Sequence, residues 1–182
     1  MTGPGAARPA TVLAVTSGKG GVGKTNVAIN IAVTLARLER RVALVDGDFG
    51  LGNVDVMLGL AAEAHVGHVV SGERPLDEAF AEGPRGVRVL AAGSGVQALT
   101  ALTNDQRSRL LAAIQEARRA FDFVVIDTAP GISDNVLDML QVAQHTVLVT
   151  SLDPAAPGPV MRMLRTPVRR SPSRRARRRW HA

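Results

Sequence analysis

The chain has 182 residues, 46 % of them apolar and 3 % aromatic, with no cysteine and a formal net charge of +6. That length suits a single domain with one core, and the missing cysteines exclude a disulfide framework and thiolate metal sites. The charge is uneven: nine of the 22 basic residues are arginines from Arg162 onward, where there is no acid, which leaves 13 basic against 16 acidic residues and a net −3 for the rest.

Residues 1–10 are rich in Gly, Pro and Ala, lack the apolar centre of a signal sequence, and are expected to be disordered in a cytoplasmic protein. Residues 12–15 form a short apolar run that ends at Ser17 in a glycine-rich loop, the strand-and-loop entry to a nucleotide site. Residues 25–38 read as a helix with Val27, Ile31, Leu35 and Leu38 on one stripe. Residues 42–45 make a second buried strand, which runs out at Asp46 and Asp48. His65 and His68 carry no metal-ligand spacing, nor do His145 and His181, and the first two read as surface or turn residues. Residues 87–90 form a third strand before a Gly-Ser-Gly turn, and residues 105–119 a helix with Leu110, Leu111 and Ile114 on one face. A fourth strand, 123–126, ends at Asp127; Ser133 or Asp134 caps a helix to about residue 142; residues 146–149 are a fifth strand.

Short, continuously apolar strands alternating with helices predict an α/β fold, a doubly wound and mainly parallel sheet with helices on both faces. In such sheets ligands bind beyond the carboxyl ends of the strands. The glycine loop, Asp46, Asp48, Asp127, Thr150 and Ser151 all fall at such ends, so the polar residues converge on one edge.

Gly18-Lys19-Gly20-Gly21-Val22-Gly23-Lys24-Thr25 satisfies G-x-x-x-x-G-K-[ST] between a strand and a helix, the pattern of a P-loop. Its glycines let successive backbone amides face phosphate oxygens, with Asn26 following in the first turn, and the helix end adds its positive dipole. Lys24 is expected at the β- and γ-phosphates of ATP and the Thr25 hydroxyl at Mg²⁺. Val124-Val125-Ile126-Asp127 supplies the carboxylate expected to hold that Mg²⁺, directly or through water. Asp46 and Asp48 either orient an attacking water and contact the metal or serve as a cap and turn; Asp48 is taken as functional because a P-loop precedes it.

With Lys19 inside the loop, GKGGVGKT resembles the deviant P-loop of the MinD/ParA-type ATPases. The resemblance implies that Lys19 reaches across an ATP-sandwiched homodimer to the partner's phosphates, that Asp48 positions the hydrolytic water, and that Gly131 in IDTAPG senses the γ-phosphate. Three segments resemble flagellar-number regulators of the FlhG/FleN type: DGDFGLGNVDVMLGL (46–60), AAGSGVQALTAL (91–102) and GISDNVLDML (131–140). A flagellar transcriptional regulator or basal-body protein is therefore the expected partner, with division-site selection or DNA partitioning as the alternative. The likeness runs over residues 12–151 and fades after Pro154, where family members continue through a further block to a membrane-targeting helix. The core, 11–159, is thus expected to be incomplete at its carboxyl end, with any membrane contact peripheral.

Residues 160–182 are rich in Arg, Pro and Ser. Nine arginines suit non-specific nucleic-acid or anionic-lipid binding, and the composition also fits a solvated, disordered segment, but the abrupt change inside a family-like segment favours an out-of-frame ending that replaces the family's carboxyl-terminal part.

Overall fold

In the computed structural model, which describes residues 9–93 and 102–151, each predicted strand forms and pairs in one sheet. The elements are β1 (Thr11–Ser17), α1 (Lys24–Arg37), β2 (Val42–Gly47), α2 (Val54–Leu58), α3 (Val66–Ser71), β3 (Ala81–Glu82), β4 (Arg88–Leu90), α4 (Asn104–Ala120), β5 (Phe123–Thr128), α5 (Asp134–Val142) and β6 (His145–Val149). The amino-terminal stretch 1–8, most of 91–102 and the arginine-rich segment lie outside the described residues.

The sheet order is β3-β4-β2-β5-β1-β6. All pairs are parallel except the two-residue β3, which runs antiparallel to β4. Successive side chains of a strand face opposite ways, so the unbroken apolar runs fill two cores at once. Val12 and Ala43, Val45, Val124 and Ile126 pack beneath α3 and α4, joined by Met139 of α5. Val15, Val42, Leu44, Val89 and Val125 pack against α1 on the other face. Ala14, Val136 and Leu140 make a smaller cluster where α5 crosses the sheet. Helices thus cover both faces.

The stripe expected on the first helix is shifted. Ala28 and Ala32, not Val27, Ile31 and Leu35, are its fully buried apolar positions; the larger three flank them, and Leu38 is 64 % exposed. Alanine at the centre of the contact lets the helix axis approach the sheet, and the branched side chains seal its sides. Among the described residues β6 ends the sheet, paired with β1 alone, and its His145 and Thr146 are exposed.

Helix α3 went unpredicted because histidines cap it. His65 Nδ1 accepts the Gly67 amide at 3.0 Å, His68 Nδ1 accepts the His65 amide at 3.3 Å, and the two rings stack with centroids 3.9 Å apart. Gly93 packs so closely against this pair that a Cβ there would lie 2.5 Å from His65 Nδ1. An imidazole accepts at Nδ1 only while that nitrogen is unprotonated. Burial lowers the His65 pKa from 6.5, His68 adds to this, and the Glu73 charge opposes it. A depressed pKa in the folded state means stability that is complete above the unfolded value and is lost as pH falls below it. The thermal midpoint should therefore drop between pH 7.5 and pH 5.5, and His65→Asn, whose amide oxygen caps without titrating, should shallow that drop in a pH series of melting curves. An unchanged slope would remove the histidine cap as its cause.

Candidate functional site

Residues 18–23 join buried Ser17 to the first turn of α1. Gly21 and Gly23 take φ of +75° and +87°, a region in which side-chain-bearing residues are strained. Gly23 is the N-cap of α1, without a side-chain cap bond, and the first turn holds no acidic residue. The helix thus presents backbone amides and the positive end of its dipole, a setting for an anion. The loop is braced from within, where the Ser17 hydroxyl donates to the Lys19 carbonyl at 2.9 Å, and from the β5 side, where the Gly131 amide donates to the Ser17 carbonyl at 2.8 Å. Gly131 itself has φ +92°, and Pro130 borders Gly20. Gly18, Val22 and Thr25 are half-buried, while Lys19 and Asn26 are exposed.

Beneath the loop lies a buried ion pair. Lys24, 7 % exposed, places Nζ 2.6 Å from Oδ1 of Asp127, which is 1 % exposed. The Thr25 hydroxyl bonds the same carboxylate and lies 3.4 Å from Lys24 Nζ. Burial pushes Asp127 above the ordinary carboxylate range; Lys24 and Thr25 pull it down, and the charge of Asp48 pushes it up again.

Asp46 sits beside Asp127, its register partner across β2 and β5. It has no solvent exposure, yet each oxygen has a donor: Oδ1 accepts the Asp48 amide and Oδ2 the Val54 amide, both at 3.1 Å. Burial pushes its pKa up to about 7, the two amides oppose this, and the charges of Asp127 and Asp48 add to it. Asp48, half-buried, accepts the Leu51 amide on Oδ1 at 3.0 Å. The sequence left Asp46 between catalysis and turn-making, and its burial beneath residues 48–54 is what separates it from Asp48.

Lys19, Lys24, Thr25, Asn26, Asp48, Asp127 and Gly131 lie at the carboxyl edge of β1, β2 and β5, on the loops leaving it or in the first turn of α1. Thr25, Asp48 and Asp127 offer hard oxygen donors, and no group of three or more His, Cys, Asp or Glu among the described residues would hold a metal alone. Mg²⁺ suits such a set, because it is bound by one or two protein groups together with substrate phosphates. A glycine cradle, a buried lysine and these oxygens thus fit a polyphosphate with a divalent cation.

The family profile described as "ParA: NUBPL iron-transfer P-loop NTPase" matches residues 8–166. The antiactivator FleN of Pseudomonas aeruginosa is 43 % identical over 152 residues, covering 84 % of this chain and 54 % of FleN. The flagellum site-determining protein YlxH of Helicobacter pylori is 32 % identical over 144 residues, covering 79 % of this chain and 49 % of YlxH. The chain thus spans about half the length of these relatives. Among solved structures, the cell-division ATPase MinD of Pyrococcus furiosus superposes with a TM-score of 0.74 at 26 % identity, over 84 % of this chain and 64 % of MinD. Cobyrinic acid a,c-diamide synthase of Mycobacterium smegmatis, solved with an ATP analogue and magnesium, gives 0.74 at 28 % identity, over 86 % of this chain and 66 % of the synthase. The match over most of its length and the geometry of its glycine loop agree, and the chain belongs to the ParA/MinD family of P-loop NTPases.

Proposed function

We propose that the chain binds ATP with Mg²⁺, pairs with a second copy around it, hydrolyses it to separate again, and through this cycle sets the number or placement of flagella. The observation that carries the nucleotide chemistry is the buried contact of Lys24 and Thr25 with Asp127 directly under a loop whose glycines hold left-handed backbone. The flagellar assignment is supported by identity to FleN and YlxH.

In this reading the loop amides and Lys24 hold the β- and γ-phosphates, and Thr25, Asp127 and Asp48 hold the metal, whose charge neutralises the phosphates. Asp48, on the half-buried rim, orients the attacking water, and Gly131, tied to Ser17, reports the γ-phosphate to the segment leading into α5. Lys19, exposed at the loop, reaches the partner's phosphates. Rate acceleration then comes from positioning and from donors aimed at developing charge.

A second reading, division-site selection, is favoured by the Synechocystis MinD, 33 % identical over 150 residues. A third, a module that binds nucleotide or partners without turnover, draws on the half-length match to the relatives.

The test is ATP turnover by the full chain beside Asp48→Ala and Lys19→Ala, with mass measured by light scattering. Asp48→Ala should bind ATP and not hydrolyse it. Lys19→Ala should remain monomeric with ATP while keeping most of its affinity, since it removes a contact made in trans. A Lys19→Ala protein that still dimerises on ATP removes the trans role, and ATP binding without turnover by the unaltered chain leaves only the binding module.

A further inference from the structure

The stretch from Asp48 to Val54 must hold one conformation if Asp48 is to face its target, yet it contains Gly50 and Gly52 and joins a strand to a five-residue helix. Phe49, 3 % exposed in the core, anchors its middle, and the Leu51 amide to Asp48 Oδ1 closes it from within. Asp46 ties down its two ends. Its carboxylate is buried near the end of β2, with one oxygen on the amide that opens the stretch and the other on the amide that begins α2. The turn is folded down tightly on this group: a Cβ at Gly52 would lie 2.6 Å from Asp46 Oδ2 and 2.7 Å from the Asp48 carbonyl.

We propose that Asp46 is a positioning residue for ATP hydrolysis, a two-pronged clamp that fixes Asp48 at the rim by holding the amides of Asp48 and Val54 from beneath. This rests on the reading of Asp48 given above. The side chain cannot be a rim group itself, since it has no solvent exposure and both oxygens already accept amides. A carboxylate is the one side chain of this length with two acceptor oxygens and no donor. Asparagine fills the same space but turns an NH₂ toward one of the two amides, so one prong is lost and the other kept.

The clamp predicts a division between binding and chemistry. Asp46→Asn should leave the affinity for a fluorescent ATP analogue nearly unchanged, because Lys24 and the loop are untouched. It should lower kcat about a hundredfold, the scale of an ångström-sized misplacement of a catalytic group. Amide hydrogen exchange of the full chain should show Asp48 or Val54 exchanging about tenfold faster, the loss expected for one hydrogen bond, with protection along the rest of β2 and β5 retained. Asp48→Ala, in contrast, should stop turnover and leave the Val54 amide protected. Unaltered turnover in Asp46→Asn, or loss of protection throughout β2 and β5, would overturn the clamp. If the unaltered chain does not hydrolyse ATP, the proposed function fails but exchange still decides: Asp48 and Val54 amides no better protected than those of Gly50 and Asn53 would refute it.

Discussion

Lys24→Ala should destabilise the chain by about 3 kcal/mol at pH 8, near the lower end of the cost of removing one partner from a buried ion pair, and by distinctly less at pH 5.5. The Asp127 carboxylate is 1 % exposed, and Lys24 Nζ lies 2.6 Å from it. Without that ammonium, an ionised carboxylate is left in a dry site. Burial already pushes Asp127 upward, and losing Lys24 pushes it further. A folded-state pKa above the unfolded one means that the neutral form is favoured by folding, so its stability is present in acid and is lost as pH rises through the folded pKa. The deficit should therefore grow with pH, as chemical denaturation at the two pH values will show. Lys24→Ala/Asp127→Asn removes both charges and should recover most of the stability. Neither variant should bind a fluorescent ATP analogue, because the group expected at the phosphates is gone in both. Equal deficits at the two pH values would mean that the pair does not govern this site's electrostatics.

Gly52→Ala should lower stability by about 1–3 kcal/mol, the usual cost of overpacking, which for a domain of this size moves the thermal midpoint by roughly 2–12 °C. The added methyl would meet the Ala92 Cβ, the Asp46 carboxylate and the Asp48 carbonyl together. A backbone carbonyl and a buried, doubly bonded carboxylate cannot swing aside as a lysine tip would. Gly59→Ala is the control: its φ of +65° strains an alanine, but no atom lies within 4 Å of the added methyl. Gly59→Ala thus carries a backbone cost without a steric one, and a loss at Gly52 no larger than that at Gly59 would mean that the turn yields.

Much of this was legible in the sequence because the governing patterns are local. Five apolar runs became five strands, since each is continuous, bounded by polar or glycine residues, and alternates faces once paired. The glycine loop, Lys24, Thr25 and Asp127 were readable from spacing, because a strand, a glycine turn and a helix must follow in that order to make the cradle. Three elements were not. Helix α2 has five residues inside a run of Asp, Gly and Asn that reads as a turn, α3 begins at a histidine rather than at Ser, Thr, Asp or Asn, and β3 has two residues. The standing of Asp46 was hidden for a different reason. A carboxylate at a strand end looks the same whether it meets solvent or carries the roof of a turn, and only the fold places Val54, eight residues on, over its second oxygen.

The strand order also sets a timetable for synthesis. β1 is made first among the described strands, but its neighbours in the sheet are β5 and β6, and Thr11 pairs with Phe123, 112 residues later. At about 5–20 residues per second, the strand that leads into the glycine loop waits roughly 6–22 s on the ribosome before either lateral partner exists. Until then its apolar residues, Val12 and Val15 among them, can be shielded only by α1 or by a chaperone. Substitutions that weaken β5 should therefore lower the yield of soluble protein more than their effect on equilibrium stability predicts, because they lengthen the interval in which β1 is unpaired.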